Sequence, residues 1–379
     1  MALAFWKMRR ELLRIYFQAE RVLMANLVEP VRQSVYDRAW PKQISLHEGA
    51  RPLGNRVALY ILYQPNGLLR STLFTLDHLA QQGFDSVVVT NSPLSQEDRT
   101  AVGARAALIV ERRNIGYDFC AYRDGLRVLK ERGVTPERLI LMNDSTWFPL
   151  READDTLARM EAAGADMIGH VFKTESLQNR GLDHVESHLL MFSRRAITHP
   201  AFAGFWDGYR MSDNRVTTIA RGEKRLTQSF LAGGLKAEGL LSADKILKTL
   251  DALDDAELLD VMGQIVHHRE DARAYCASLR QRAVASLPWR ADFLSWTERE
   301  LSNSLQHLLS VTFIEPAMRL GGMGFVKKAN EKRHHLARVK VLESVDKGRL
   351  PPLQKDVETE MRNMVSHWVT PIENWRKPG

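Results

Sequence analysis

The chain has 379 residues, 44% of them hydrophobic and 26% charged, enough to bury a substantial core without disulfides or structural metals. Cys120 and Cys276 stand far apart, which excludes a cysteine zinc cluster and a disulfide framework and fits a reducing compartment. The charge of +7 sits at the ends, ten Lys/Arg against five Asp/Glu in residues 1–56 and twelve against seven in 322–379, so the acidic middle argues against nucleic acid and for an anionic membrane surface or acidic partner.

Phe5, Met8, Leu12, Ile15, Ala19, Val22 and Leu23 share one helical stripe opposite Lys7, Arg10, Arg14 and Arg21. This predicts a basic amphipathic helix that either docks on the main fold or lies at a bilayer interface. Beyond Pro52 and Gly54 short β-branched runs alternate with helical stretches: strand Val57–Tyr63, helix Leu68–Gln82 ended by Gly83, strands Asp85–Thr90 and Ala107–Glu111, helix Asp118–Glu131 stopped by Gly133, and strand Leu139–Met142. A helix over Asp154–Ala163, a strand over Asp166–Val171 and a later strand over His184–Phe192 follow. Such alternation implies parallel strands with helical crossovers, an α/β chain with a Rossmann-like first half. From about residue 241 strand signals fade; Asp244–Gly263, Asp271–Leu287 and Asp292–Leu309 read as helices, and Pro351-Pro352 breaks the chain before a last helical stretch.

The expected division is a basic helical arm over 1–55, an α/β core over 56–240 and a helical region over 241–379. No uncharged apolar run reaches the ~18–20 residues of a spanning helix, and the expected location is cytoplasmic, peripheral at most on the inner face of the membrane.

In an open parallel sheet ligands sit beyond the carboxyl ends of the strands. Those loops here are consistently polar: Tyr63-Gln64-Pro65-Asn66-Gly67, Asn91-Ser92-Pro93, Arg112-Arg113-Asn114-Ile115-Gly116-Tyr117-Asp118 and Asn143-Asp144-Ser145. Any one of them is ordinary turn chemistry; their coincidence at one rim points to a site. Tyr63, Asn66 and Asn91 are candidate nucleoside contacts by position. Gly116 permits close backbone approach to a ligand. Asp118 either caps the following helix or accepts hydrogen bonds from a sugar or ribose hydroxyl. Asp144, between Asn143 and Ser145, is an oxygen-rich group suited to Mg²⁺ or Mn²⁺ holding a diphosphate, or an ordinary Asx-turn residue. Phosphate-loop, nucleophile-elbow and zinc-protease signatures are lacking, and the late Gly321-Gly322-Met323-Gly324 cluster reads as a helix end.

From about Val57 to about Gly239 the chain resembles the rhamnan synthesis F family of bacterial polysaccharide glycosyltransferases. The resemblance rests on the N-x-G-x-D turn at Asn114–Asp118, Asn143-Asp144-Ser145, the His-x-x-Ser segment at His184–Ser187 and the Glu-led helix at Glu223–Phe230. It implies a GT-A-like core that binds a nucleotide-sugar donor, with a single Asp144 where such enzymes commonly carry a D-x-D, and transfer to a glycan or lipid-linked glycan. On that reading Asp144 with a divalent cation, helped by Arg113, meets the leaving diphosphate, and Glu223, His184 or Glu186 takes the acceptor proton. Asn114, Gly116, Asp118, Asn143 and Ser145 then line the donor. The alternative is a non-catalytic scaffold or binding protein of a polysaccharide assembly complex.

Overall fold

The computed structural model describes residues 23–174, 183–301 and 309–369, together with Arg9, Glu11, Leu13, Arg14 and Tyr16; most of the predicted helix over Phe5–Leu23 lies outside the described residues. A π turn over Met24–Val28 leads into α1 (Glu29–Arg38), and a 3-10 turn (Trp40–Lys42) precedes β1 (Ile44–Glu48). Then come β2 (Arg56–Leu62), α2 (Arg70–Gln81), β3 (Asp85–Thr90), α3 (Gln96–Gly103), β4 (Leu108–Arg112), α4 (Tyr117–Glu131), β5 (Arg138–Asn143) and β6 (Thr146–Trp147). The second half of the sheet uses α5 (Thr156–Ala162), β7 (Met167–Lys173), β8 (His184–Val185), β9 (Leu189–Ser193), α6 (Arg194–Thr198) and α7 (Pro200–Gly208). Next, α8 (Arg215–Ile219) passes through a π turn (Ala220–Lys224) into α9 (Arg225–Ala232), and β10 (Ala237–Leu241) follows. The remainder is α10 (Ala243–Asp251), α11 (Asp255–Gln264), α12 (Glu270–Val284), α13 (Arg290–Leu301), α14 (Ile314–Gly321), β11 (Val326–Lys327), α15 (Lys332–Asp346) and α16 (Lys355–Ser366).

The chain is α/β around one mixed sheet of order β1-β4-β3-β2-β5-β9-β7-β10, with β8 paired to β7. Strands β4, β3, β2 and β5 are parallel, while β1 and β9 run antiparallel to their neighbours. The chain builds outward from β2 through β3 to β4 and then returns to lay β5 on the other side of β2. The gap between the ends of β2 and β5 is therefore the switch point, where crossovers leave in opposite directions and a crevice opens.

Both faces of the sheet are covered, which is why its central strands read as continuous apolar runs rather than alternating ones. Ala58, Tyr60, Leu62, Ile140 and Met142 face one core, shared with Ile246, Leu258, Phe293, Val341 and Val357 of the helical region. Val57, Leu59, Ile61, Leu139 and Leu141 face the other, with Tyr36 of α1, Phe119 and Tyr122 of α4 and Trp206 of α7. The helices beyond residue 241 thus form one layer over the sheet. Strand β11 pairs with β6, and Glu360 of α16 accepts from Ser71 N at 2.9 Å, Ser71 Oγ at 2.5 Å and Trp147 Nε1 at 2.9 Å.

At the N-terminal side α1 is pinned to α4: Tyr36 Oη donates to Asp124 Oδ2 at 2.6 Å, Arg123 pairs with Asp37 at 2.8 Å, and Trp40 Nε1 donates to Glu131 at 2.9 Å. Along α1 and the turn that leads into it, Leu23, Leu27, Val31 and Val35 stand exposed at four-residue spacing. Among the described residues no helix is long and apolar enough to cross a membrane.

The structure departs from the sequence reading in several places. Ile44–Glu48, inside the stretch read as a helical arm, is an edge strand on β4. The helix α3 was not anticipated; Ser95 caps it by accepting from Asp98 N. His184–Phe192 is two strands broken by a turn at Ser187-His188, not one. Asp244–Gly263 is two helices because Asp254 and Glu257 form a reciprocal capping box that starts a new one. The glycine cluster does end a helix: Gly322, at φ 63°, caps α14.

Candidate active site

Asp144, the first residue after β5, spans the switch point. Its Oδ2 accepts from Tyr63 N at 2.9 Å and Gln64 Nε2 at 3.1 Å, and its own N–H donates to Ile61 O at 3.1 Å. Gln64 also donates to Thr72 Oγ1 at 2.8 Å and accepts from Leu69 N at 2.8 Å, so one amide ties the loop after β2 to the start of α2 and to Asp144. Asn143, buried beside it, accepts from Ser145 Oγ at 2.5 Å and donates to Asp118 Oδ2 at 2.8 Å.

Asp118 is brought there by the loop after β4. Gly116, at φ 73°, is the N-cap of α4, and a Cβ there would lie 2.5 Å from Cys120 Cβ and 3.1 Å from Met211 Cβ, so only glycine fits. The Gly116 N–H donates to Asp213 Oδ1 at 2.7 Å, and Asp213 is held from behind by Arg32 of α1 at 2.8 Å. Because Gly116 takes the cap position, Asp118 lies in the first turn and points its carboxylate at Asn143 instead of capping the helix. Burial, then Asp144, then Glu223 push the Asp118 carboxyl up to about 7, against the stabilising Asn143 amide and Arg112.

The third carboxylate, Glu223, is presented by the π turn between α8 and α9. Gly222 packs against the Phe119 ring, where a Cβ would come within 2.6 Å, and this close approach sets the next side chain over α4. Glu223 Oε1 accepts from Ser187 Oγ at 2.5 Å, and its Oε2 lies 3.7 Å from His184 Nε2. Glu223 is therefore interior to one continuous helical run, not at the helix N-terminus its sequence position suggested. Tyr122, one turn after Asp118, donates to Ser187 O at 3.2 Å and ties this group to α4.

Residues 86–259 match the family described as rhamnan synthesis protein F. That match covers just under half of the chain. The match begins after β2, later than Val57, and runs past Gly239 into α11. A curated relative from Sinorhizobium fredii (strain NBRC 101917 / NGR234), uncharacterized protein y4gN, is 31% identical over 256 residues, 68% of this chain and 66% of the relative, so the chain spans just under two thirds of its length. Among solved structures, the mannosyltransferase PcManGT from Pyrobaculum calidifontis in complex with GDP-Man and Mn²⁺ is 13% identical, with 86% of this chain and 97% of that chain covered at a TM-score of 0.30. The galactosyltransferase LgtC in complex with donor and acceptor sugar analogs is 10% identical, with 48% and 70% covered at a TM-score of 0.28.

The remaining candidates fall into three groups. Tyr63, Asn66, Arg113 and Asn114 stand exposed on the rim. Asn91 is buried, and its amide oxygen accepts from Arg112, which also donates to Asp124 at 2.6 Å and to Ile115 O at 2.9 Å. Asn91 thus braces the site from beneath, and that oxygen is not open to a nucleoside. Glu186 is paired with Lys327 at 2.8 Å and lies 3.6 Å from His188 Nδ1, whose other nitrogen meets His170 Nδ1 at 3.1 Å. A carboxylate neutralised in this way is a weak proton acceptor. His170, fully enclosed, is held neutral, its pKa lowered first by burial and then by His188.

Four further residues belong to the site: Gln64 and Tyr117, which lie in the polar rim loops without a role assigned by the sequence, and Lys327 and Lys328, which no local pattern in the sequence marks. Tyr117 stands exposed at φ 50° directly after Gly116, on the same rim as Tyr63. Lys327 ends β11 and Lys328 follows it directly, its N–H donating to Ser145 O at 2.8 Å. A resident divalent cation does not fit the side chains present. Among the described residues no three His, Cys, Asp or Glu converge as a cage, and one oxygen of Asp144 already takes two N–H donors.

Proposed function

We propose that the chain is a glycosyltransferase that moves a sugar from a nucleotide-sugar donor to a hydroxyl of a bacterial surface polysaccharide or lipid-linked glycan. The observation that carries this reading is that Asp144 and Glu223, from separate elements, both bear on the Asp118 carboxyl at the switch point of the sheet, all three within the stretch that matches rhamnan synthesis protein F. Such a crevice suits a nucleoside diphosphate, with Tyr63 and Tyr117 offering ring faces for the base and Asn66, Arg113 and Asn114 polar contacts at the rim.

In the transfer the bond from the anomeric carbon to phosphate oxygen breaks and its electron pair leaves with the diphosphate. The acceptor oxygen bonds to the anomeric carbon and its proton passes to a base. Glu223 is that base in this proposal, because Ser187 and His184 orient its carboxylate. Asp118, with its carboxyl raised to about 7, is protonated in part near neutral pH and so can accept from or donate to a donor hydroxyl, and Asn143 fixes its orientation. The exposed stripe of Leu23, Leu27, Val31 and Val35 beside a basic segment supports peripheral attachment to an anionic membrane.

The test is a donor screen on the purified protein with UDP-, GDP-, CMP- and dTDP-sugars, reading the released nucleotide directly. Nucleotide release that requires an acceptor glycan supports transfer. Donor binding without release for every donor and acceptor supports the scaffold alternative and overturns the enzymatic reading.

A further inference from the structure

Lys328 is an ammonium placed among acids that are already engaged. Its backbone is fixed to the Asp144 end of β5 by the hydrogen bond to Ser145 O, and its Nζ lies 5.5 Å from the centre of the Trp147 ring. Trp147 is itself anchored by Glu360 at 2.9 Å, so the platform under the lysine is rigid. The side chain is partly buried and feels both Asp144 and Glu360. Yet Asp144 is turned to Tyr63 and Gln64, and Glu360 to Ser71 and Trp147. Among the described residues Lys328 makes no ion pair within 4.0 Å, whereas the adjacent Lys327 is closed by Glu186 at 2.8 Å. Burial lowers the Lys328 pKa while Asp144 and Glu360 raise it, and a further anion would restore the charged form. A partly buried positive charge without an acidic partner within 4.0 Å thus stands at the switch point, where no protein-built cation cage exists among the described residues, while Arg113 lies exposed on the rim outside it.

We propose that Lys328 is the counter-charge for the diphosphate of the nucleotide-sugar donor, in the place a divalent cation would otherwise take. This rests on the glycosyltransferase reading and deepens it. When the anomeric carbon–oxygen bond breaks, the departing diphosphate gains one negative charge; the ammonium keeps its three protons and neutralises that charge by hydrogen bonding. The acceptor proton goes to Glu223, and no electron leaves the system.

The experiment measures binding of UDP, GDP, dTDP and inorganic pyrophosphate to the purified full chain by calorimetry, in EDTA and then with Mg²⁺ or Mn²⁺, for the parent, Lys328→Gln and Lys328→Arg. The expected result is that at least one nucleoside diphosphate binds the parent in EDTA and that metal changes its affinity by less than about threefold. Lys328→Gln should weaken it by about tenfold or more, and Lys328→Arg should retain most of it, the scale of one charge-assisted contact. If Lys328→Gln does not fold, Lys328→Met, which keeps an apolar stem on Trp147, takes its place. Binding that appears only with metal, or a folded neutral variant that binds like the parent, overturns the role of Lys328 and leaves the transferase reading standing. A parent that binds no nucleoside diphosphate under either condition overturns both.

Discussion

Replacing Asp118 with Asn should stabilise the protein, increasingly so as the pH rises above about 4. In the folded chain burial and the neighbouring Asp144 and Glu223 raise the carboxyl from 3.8 to about 7, while Asn143 and Arg112 pull the other way. Between those two values the folded state holds a proton that the unfolded state has released, so raising the pH favours unfolding. The wild type therefore loses stability progressively from about pH 4 to about pH 7 and then levels off. Three pH units at about 1.36 kcal/mol each set a ceiling of about 4 kcal/mol, and the solvent that reaches the rim reduces the expected gain to about 1–2 kcal/mol. Asn is the informative replacement because its oxygen still accepts from the Asn143 amide and its new NH₂ group faces the Asp144 and Glu223 carboxylates. Guanidinium unfolding of both proteins at pH 4.5, 6, 7 and 8 reads the difference. Curves that coincide at pH 4.5 and separate with the variant more stable at pH 8 are expected. Parallel pH profiles, or a variant less stable at pH 8, would refute the account of Asp118 as a carboxyl forced toward neutrality.

Asp144→Asn should leave the unfolding midpoint nearly unchanged, since an amide oxygen can still accept from Tyr63 N and Gln64, while transfer falls by about 10²-fold because the carboxylate that favours the charged form of Lys328 is lost. Near-normal turnover in a folded variant would reduce Asp144 to a loop staple. Tyr36→Phe removes the hydroxyl that donates to the buried Asp124–Arg112 pair and should cost about 1–3 kcal/mol in denaturant unfolding; a change below about 0.5 kcal/mol would show that α1 docks by its apolar contacts alone. Co-sedimentation with anionic liposomes should fall with added salt and with Leu27→Glu or Val31→Glu, each exposed basic residue contributing about 1 kcal/mol. Sedimentation indifferent to both changes would exclude the outer face of α1 as the attachment.

The parallel heart of the fold was legible because β2, β3, β4 and β5 are buried on both faces and leave unbroken apolar runs, and because glycines at φ 76° (Gly83) and 70° (Gly133) follow their crossover helices. The edge strand β1 was not, since an edge needs only half a face buried and Ile44-Ser45-Leu46-His47-Glu48 carries no such run. The break at Ser187-His188 has a tertiary cause: Ser187 is drawn to Glu223 and Glu186 to Lys327, both distant in sequence. Asp118, Asp144 and Glu223 stood out by position, but the near-neutral carboxyl arises only when the three are assembled. Lys328 is invisible in any local pattern, because it follows a strand, β11, that is two residues long and finds β6 across nearly half of the chain.

The span shared with the family, 86–259, omits β2 and β11. Strand β2 lies between β3 and β5, so a polypeptide trimmed to those limits would open two raw sheet edges in its interior and lose the Tyr63 loop that Asp144 holds. The unit of recognisable ancestry and the unit that folds cooperatively are therefore different lengths of chain. During synthesis β2 emerges well before β5 and must wait for its second partner, an interval in which an apolar strand that ends buried on both faces is sheltered by β3, α2 and, last, α4.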